Sequence, residues 1–216
     1  MKKSFPSALQ GCKVCNDARH VLSRGELIPC PSCGGEMLRR ASNLPAEAKG
    51  ATFSTLTPYP WLVPALAAAQ EVTARPVPNW WYTLSGAYGI GKTAVIYAML
   101  NACLERNLKV CYFRAFDAMQ YIKSGIADGT IDARIEEMKT VGVLALDEVG
   151  YDATDYDKKV LTEILGERYA RGRACLTVMA YNPPLQLPAL VLSRINDGRS
   201  RAFKLEGRDL RPLIKG

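Results

Sequence analysis

A glycine-rich segment that ends in a lysine and a threonine is the part of this sequence best suited to binding phosphate. Residues 86–93 follow the pattern GxxxxGK[ST]. Glycines let such a loop wrap its N–H groups around phosphate oxygens, and a helix that follows points its positive N-terminus at the same anion. Lys92 is expected to reach the terminal phosphates, and the Thr93 hydroxyl to bind magnesium. The residues of this loop predicted to bind a nucleotide are Gly86, Tyr88, Gly89, Ile90, Gly91, Lys92, Thr93 and Ala94.

An acidic pair at the end of an apolar run is the second element of this chemistry. Residues 141–146 are uninterrupted apolar residues, which predicts a strand buried on both faces, and Asp147 and Glu148 follow directly. Open α/β sheets place ligands at this end of their strands. We predict that Asp147 holds the magnesium of a bound nucleotide, directly or through water, and that Glu148 polarises the attacking water. A surface turn after a strand is the alternative interpretation.

Two polar residues further along the chain fit the same site. Residues 176–180 predict a strand that leads to Asn182, and a lone Asn there is similar to the residue that senses the terminal phosphate in AAA+ ATPases. An arginine at Arg194 could reach the nucleotide of a neighbouring copy, where it would stabilise the negative charge of phosphoryl transfer. The alternatives are a plain turn at Asn182 and a surface salt bridge at Arg194.

These four pieces, in this order, resemble the initiator-type AAA+ ATPases, and most closely the DnaC/DnaI helicase loaders and the IstB transposition ATPases. The Leu-Pro at 44–45 with residues 52–56 resembles the entry segment of that family. Glu-Arg-Tyr at 167–169 resembles the helix after its acidic pair, and residues 207–212 resemble a C-terminal signature of phage-type loaders. The resemblance covers roughly residues 41–216.

The resemblance implies an α/β fold, a P-loop AAA+ core with a five-stranded parallel sheet flanked by helices. It also implies self-association through the ATP site and contact with single-stranded DNA through residues 114–139. Because little chain follows Pro212, we expect no C-terminal helical lid, as in the loaders of this family. The candidate DNA-contacting residues are Lys123, Ser124, Arg134 and Lys139, for each of which an ordinary solvated helix face is an equally good interpretation.

Four cysteines near the N-terminus have the spacing of a metal site. Cys12 and Cys15 form one CxxC pair, and Cys30 and Cys33 form a second. Two such pairs bring four thiolates into a tetrahedron that zinc accepts, and a unit this small needs the metal to fold. We predict a closed, structural zinc site in which His20 is a bystander, with a redox dithiol as the minor alternative. Its role is docking of a partner, as the resemblance to DnaI-type loaders implies, or contact with nucleic acid.

The composition indicates a globular protein with basic ends. Hydrophobic residues make up 48% of the chain, charged residues 23%, and the net charge is +7. Residues 1–50 carry eight Lys and Arg against four Asp and Glu, and residues 194–216 carry seven against three, which fits a phosphate-rich partner or simply solubility. The sequence has no apolar run long enough to span a membrane and no secretion signal, so we predict a cytoplasmic protein.

Alternation of short apolar runs with helical patterns predicts a parallel sheet covered on both faces. Phe116, Met119 and Ile122 are predicted to form one apolar helical stripe. Cys103, Cys111 and Cys175 lie in apolar segments and are predicted to be core residues. We divide the chain into a zinc-binding ribbon (1–38), a linker and entry segment (39–60) and an AAA+ ATPase core (61–216).

Three functions remain open on the sequence. The first is an ATP-hydrolysing loader that delivers a hexameric replicative DNA helicase to single-stranded DNA. The second is an IstB-like ATPase that assists a transposase, with the same chemistry and a different partner. The third is a binding module in which ATP acts as a slow conformational switch. The presence of Glu148, predicted to polarise the attacking water, argues against this third function. The cysteine ribbon and residues 207–212 favour the loader.

Overall fold

An N-terminal hairpin and a short helix precede the main sheet. The computed structural model describes residues 12–15, 18, 20–32, 34–74, 80–149, 154–171, 175–183 and 187–213. Strands β1 (His20–Ser23) and β2 (Glu26–Pro29) are antiparallel, and helix α1 (Gly34–Arg40) follows. The two-residue turn between the strands has positive φ at both Arg24 and Gly25 (50° and 84°), the geometry that matches the natural twist of a hairpin.

Five parallel strands form the central sheet, in the spatial order β4-β5-β6-β3-β7. The carboxyl ends of β3, β5 and β6 lie side by side at one edge of this sheet, where α/β folds place ligands. The fold is thus the α/β fold with five parallel strands predicted from the sequence. The strands are β3 (Trp80–Gly86), β4 (Val110–Arg114), β5 (Val143–Asp147), β6 (Leu176–Tyr181) and β7 (Ser200–Leu205).

Helices cover both faces of the sheet, and each face has its own apolar core. Tyr82 and Leu84 of β3 point into the first core, whereas Trp81, directly before Tyr82, points into the second, as the alternation of side chains along a strand requires. Helices α2 and α3 contribute to the first core, and α4 to α7 to the second. The helices are α2 (Val63–Ala74), α3 (Lys92–Glu105), α4 (Ala115–Ser124), α5 (Ile131–Thr140), α6 (Asp155–Ala170) and α7 (Ala189–Ile195).

Most of the predicted core residues are buried, with one exception on α4. Met119 and Ile122 lie in the second core, but Phe116 is 63% exposed. The helix begins at Ala115, so Phe116 lies in its first turn and projects away from the sheet while Ala115 and Ala118 pack inward. Cys103, Cys111 and Cys175 are buried as predicted. Among the described helices none is long and apolar enough to cross a bilayer.

A buried arginine on α6 connects three segments beneath the sheet. Arg168 has no exposed surface, and its guanidinium donates to Thr177 Oγ1 at 3.0 Å and to the Leu176 carbonyl at 2.8 Å. It also donates to the carbonyls of Val141 at 2.6 Å and Met138 at 3.1 Å. Burial lowers the pKa of Arg168 to about 10, so the group stays charged at neutral pH and donates to buried backbone carbonyls.

A second polar junction ties the N-terminal part to α3. The Asn101 amide on α3 donates to the carbonyls of Ala48 and Ala51 at 2.8 Å and 2.6 Å. Its oxygen accepts a hydrogen bond from Arg39 at 2.7 Å. Asn101 is only 3% exposed, so three of its four hydrogen-bonding positions are used inside the protein. Helix α1 and the segment after it are therefore fixed to the helix that begins with Lys92.

Candidate functional site

The glycine-rich loop connects β3 to α3 and has the shape that its sequence predicts. Gly91 immediately precedes the helix with φ 104°, a left-handed conformation that side-chain-bearing residues rarely adopt. A Cβ atom on Gly86 would lie 2.5 Å from the Leu205 carbonyl oxygen, so β7 leaves no room there for a side chain. Both glycines are therefore required by the backbone path as well as by any phosphate that the loop holds.

Lys92 is held inside its own loop. Its ammonium group donates to the carbonyls of Gly86 at 2.9 Å and Ala87 at 2.6 Å, and the residue is 8% exposed. Burial lowers the pKa of Lys92, while the nearby charge of Asp147 opposes that shift. The positive charge is thus positioned at the first turn of α3, where the helix dipole also favours an anion.

Thr93 and Asp147 are brought together as the sequence predicts for a magnesium site. The Thr93 hydroxyl donates to Asp147 Oδ2 at 2.7 Å, and the Tyr112 hydroxyl lies 3.4 Å from the same oxygen. Asp147 is 3% exposed and ends β5. A hydroxyl and a carboxylate in contact are hard oxygen ligands of the kind that magnesium takes together with phosphate oxygens, so these residues fit the ion.

Glu148 stands apart from its neighbour in conformation. Its φ is 53°, which is uncommon for a residue with a side chain, and its backbone N–H donates to Asp147 Oδ1 at 2.9 Å. The side chain is exposed at the mouth of the cavity next to the buried Asp147. Outliers of this kind cluster at functional sites, where the surrounding structure holds them in place.

A cavity of about 230 Å³ joins these groups. Asn182 faces it from the end of β6, and its Oδ1 atom is buried with no hydrogen-bond partner in the part of the chain that the structure describes. An amide left in this state costs free energy unless a ligand or water completes it. The predicted residues that line the cavity are Tyr88, Gly89, Gly91, Lys92, Thr93, Ala94, Asp147, Glu148 and Asn182.

Gly86 and Ile90 do not line this cavity, although both belong to the predicted loop. Ile90 is 1% exposed and packs beside Gly86, and its carbonyl accepts a hydrogen bond from the Trp61 indole at 3.3 Å. Gly86 and Ile90 therefore contribute to the shape of the loop without lining the cavity.

Leu210 and Arg211 also line the cavity, and local patterns did not identify them. The Leu210 N–H donates to the Gly89 carbonyl at 2.9 Å, so the C-terminal segment is fixed on the glycine-rich loop. Gly207 lies against the Trp61 indole so closely that a Cβ atom there would be 2.4 Å from the ring. Only the resemblance of residues 207–212 to a family signature pointed to this region.

Residues 79–185 match the family model described as IstB-like ATP binding protein. Because of this match we refer to residues 79–185 as the IstB-like domain. The Lys92–Thr93 loop and the Asp147–Glu148 pair both lie inside the matched range, and the description of the matching family names ATP as the ligand that it binds.

Individual relatives extend the comparison beyond the IstB-like domain. The replicative helicase loader DnaI of Bacillus subtilis (strain 168) is 26% identical over 113 residues, which are 52% of this chain and 32% of that protein, about a third of its length. A crystal structure of DnaI superposes with a TM-score of 0.64 at 19% identity, covering 78% of this chain and 94% of that one. The replication initiator DnaA bound to AMPPCP and single-stranded DNA gives 0.65 at 20% identity, covering 74% and 52%. These structural likenesses establish the AAA+ fold.

Arg194 does not face the ATP cavity of its own chain. It lies on α7, after the IstB-like domain, with its guanidinium carbon 3.8 Å from the centre of the Tyr169 ring. Its Nε atom is buried and has no hydrogen-bond partner among the described residues. An arginine that reaches the nucleotide of a neighbouring copy must lie apart from the nucleotide of its own chain. This role of Arg194 stays a prediction.

Two of the four candidate DNA-contacting residues form ion pairs within the IstB-like domain. The Lys123 ammonium lies 2.7 Å from Asp157 Oδ1, and that of Lys139 lies 2.5 Å from Glu163 Oε1. The side chain of Lys139 is 14% exposed, and that of Lys123 is 36% exposed. Lys123 is therefore the more accessible of the two.

The other two candidates contact each other. Arg134 donates to the Ser124 hydroxyl, to the Tyr121 carbonyl at 2.6 Å and to Asp128 at 2.9 Å. Its guanidinium also lies 4.8 Å from the Tyr121 ring centre. These contacts fix the turn between α4 and α5, and DNA contact by Ser124 or Arg134 stays a prediction that must compete with them.

Three of the four predicted zinc ligands converge. The sulfur atoms of Cys12, Cys15 and Cys30 lie within 4.8 Å of one another, and Cys33 lies outside the described residues. Backbone N–H groups of Cys15 and Val14 lower the pKa of Cys12 to about 6, which favours the thiolate that a metal binds. Sulfur ligands this close together fit zinc.

Proposed function

We propose that this chain is an ATP-dependent loader of a replicative DNA helicase onto single-stranded DNA, and that it hydrolyses ATP at interfaces between its own copies. The observation that carries the proposal is the joining of Lys92, Thr93, Asp147 and Glu148 at one cavity of an AAA+ fold. The match to a curated helicase loader supports the choice of partner. The DnaA structure that holds AMPPCP and single-stranded DNA supports the choice of nucleic acid.

Each side chain has a defined task in this proposal. Lys92 would exchange the carbonyls of Gly86 and Ala87 for phosphate oxygens, and Thr93 and Asp147 would hold the magnesium ion. The ion, when bound, neutralises charge on the phosphates. Glu148 would orient and polarise the attacking water, as its exposed place beside Asp147 allows.

Asn182 and Arg194 would complete the site from two directions. The NH2 group of the Asn182 side chain would donate to the terminal phosphate in its own chain. Its buried, unpartnered Oδ1 atom would accept a hydrogen bond from a shared water, or the amide would flip so that its NH2 group takes that place. Arg194 would reach the phosphates bound to the neighbouring copy, where an arginine raises the rate by about a thousandfold or more. The nucleotide thereby makes assembly and hydrolysis interdependent.

The N-terminal unit would be a structural zinc ribbon that docks the helicase. Cys12, Cys15 and Cys30 are placed to share one ion, and Cys33 would supply the fourth thiolate. The junction at Asn101 joins Arg39, the residue that directly follows this unit, to the helix that begins at Lys92. We therefore propose that the ribbon and the core act as one loader.

The experiment that tests this function is capture of the partner. Tagged Glu148→Gln protein, which is expected to bind ATP and not hydrolyse it, is incubated with ATP, magnesium and a lysate of the source organism. Mass spectrometry then identifies what it retains, with Lys92→Ala protein as the matched control that cannot hold ATP. Retention of a hexameric replicative helicase by the first protein and not the second supports the loader.

A second candidate function has its own support. The family model that matches residues 79–185 is that of IstB-like proteins, and the notion of an ATPase that assists a transposase follows from that resemblance. Retention of a transposase in the same capture would favour this function and contradict the loader. Retention of neither protein in the presence of ATP would contradict both.

A further inference from the structure

One tyrosine ring that does not line the ATP cavity contacts two arginines. The guanidinium carbon of Arg194 lies 3.8 Å from the centre of the Tyr169 ring, and that of Arg199 lies 4.0 Å from the same centre. Both guanidinium groups are therefore within cation–π distance of the Tyr169 ring.

The Tyr169 ring has further contacts besides those with the two guanidinium groups. Its hydroxyl donates to the Asp197 carboxylate, and Trp81 packs against it edge-on with ring centres 6.1 Å apart. Asp197 Oδ1 also accepts a hydrogen bond from the backbone N–H of Arg199 at 2.8 Å. The residue is 8% exposed, so it has little freedom to turn.

Arg194, in contrast, is held by the Tyr169 ring, a contact that does not neutralise its positive charge. No carboxylate pairs with its guanidinium within the residues that the structure describes, and its Nε atom is buried without a partner. An aromatic face attracts a guanidinium group while the N–H groups at its edge stay available to an oxyanion. A salt bridge in the same place would occupy those N–H groups.

We infer that Tyr169 is the positioning residue of Arg194, which it holds in the orientation that reaches the nucleotide of a neighbouring copy. This inference rests on the proposed function, because the role of Arg194 is itself proposed. Tyr169 touches no part of the ATP cavity of its own chain, so it acts on hydrolysis only through the arginine. The contacts of Asp197 and Arg199 with Tyr169 help to fix its ring.

A double-mutant cycle on the full chain tests the inference. We expect Tyr169→Leu to lower kcat for ATP hydrolysis about tenfold, the size of a buried cation–π contact, with little change in KM. We expect Tyr169→Phe, which keeps the ring and loses the bond to Asp197, to recover most of that loss. Combined with Arg194→Ala, either substitution should lower kcat no further than Arg194→Ala alone, because the group to be positioned is absent.

The outcomes separate this inference from the proposed function. Losses that multiply in the double variant would overturn the role of Tyr169 and leave that of Arg194 intact. An unchanged kcat for Arg194→Ala would overturn both, since there would be no arginine to position. If Tyr169→Leu does not fold, the cycle with Tyr169→Phe decides the matter, with an expected loss of about threefold that disappears in the Arg194→Ala background.

Discussion

The ATP cavity and the cysteine ribbon are built in opposite ways. Around the cavity, Lys92 and Asp147 stand at the ends of elements that pack into two large apolar cores. In the ribbon, two strands of four residues carry Leu22 and Leu27 at 75% and 70% exposure, and the buried groups include Cys15 and Cys30. Packing thus sets the geometry of the first site before any ligand arrives, whereas a small unit without a core would depend on the zinc ion that we propose for it.

The largest expected effect tests whether the cavity carries out hydrolysis as well as binding. Glu148→Gln removes the proposed general base and keeps the shape of the residue, so we expect kcat to fall by about 100-fold to 10,000-fold while ATP still binds. Phosphate release and equilibrium nucleotide binding measure the two properties separately. The matched control is Glu206→Gln, an exposed acid that is paired with Lys204 and does not line the cavity. Equal hydrolysis by the Glu148 and Glu206 variants would indicate a site that binds ATP only.

The next effect tests the cation at the start of α3. Lys92→Ala removes an ammonium group positioned for phosphate, so we expect ATP affinity to fall by about 100-fold, the equivalent of one or two hydrogen bonds to charged groups. Binding of a fluorescent ATP analogue measures it, with the exposed Lys158→Ala as the control. An affinity within twofold of the original would show that phosphate binds elsewhere.

A third prediction concerns the thiols of the ribbon. With the ribbon folded as the structure describes it, the pKa of Cys12 is lowered to about 6, whereas burial raises the pKa of Cys103 to about 12. The Cys12 thiolate fraction therefore rises as pH increases through 6 and is nearly complete above pH 7, while Cys103 stays protonated. We expect iodoacetamide to label Cys12 first, and added zinc to slow that labelling about tenfold or more.

Mass spectrometry of the labelled peptides reads both cysteines in one sample, so Cys103 is the internal control. Labelling of Cys12 that zinc does not slow would contradict a metal site in the ribbon. Labelling of Cys12 that does not depend on pH between 5 and 7 would contradict its lowered pKa.

The smallest effect tests the junction between α3 and the segment that follows the ribbon. Asn101→Ala leaves the buried carbonyls of Ala48 and Ala51 without their donor, so we expect the free energy of unfolding to fall by about 1–3 kcal/mol. Urea unfolding followed by tryptophan fluorescence measures it. Gln70→Ala, on the exposed face of α2, should change stability by less than about 0.5 kcal/mol. Similar stability of the two variants would mean that α1 is not fixed to the core through Asn101.

The sequence predicted most of the ATP cavity because that chemistry is local. The glycine loop, the acidic pair and Asn182 each follow a strand, and the ends of parallel strands meet at one edge. Arg211 and Leu210 reach the cavity from about 120 residues beyond the loop, a contact that no periodicity encodes. The exposure of Phe116 and the stacking of Arg194 on Tyr169 likewise depend on how helices pack, which is set by the whole fold.

The most direct test of the account is a loading assay on closed circular single-stranded DNA, with the hexameric helicase of the source organism. Helicase that co-elutes with the circles is measured with the loader, ATP and magnesium, and with the Lys92→Ala protein in parallel. We predict ATP-dependent transfer by the original protein, and none by the Lys92 variant. Equal transfer without nucleotide, or by Lys92→Ala, would contradict the claim that ATP held at this cavity drives delivery of the helicase.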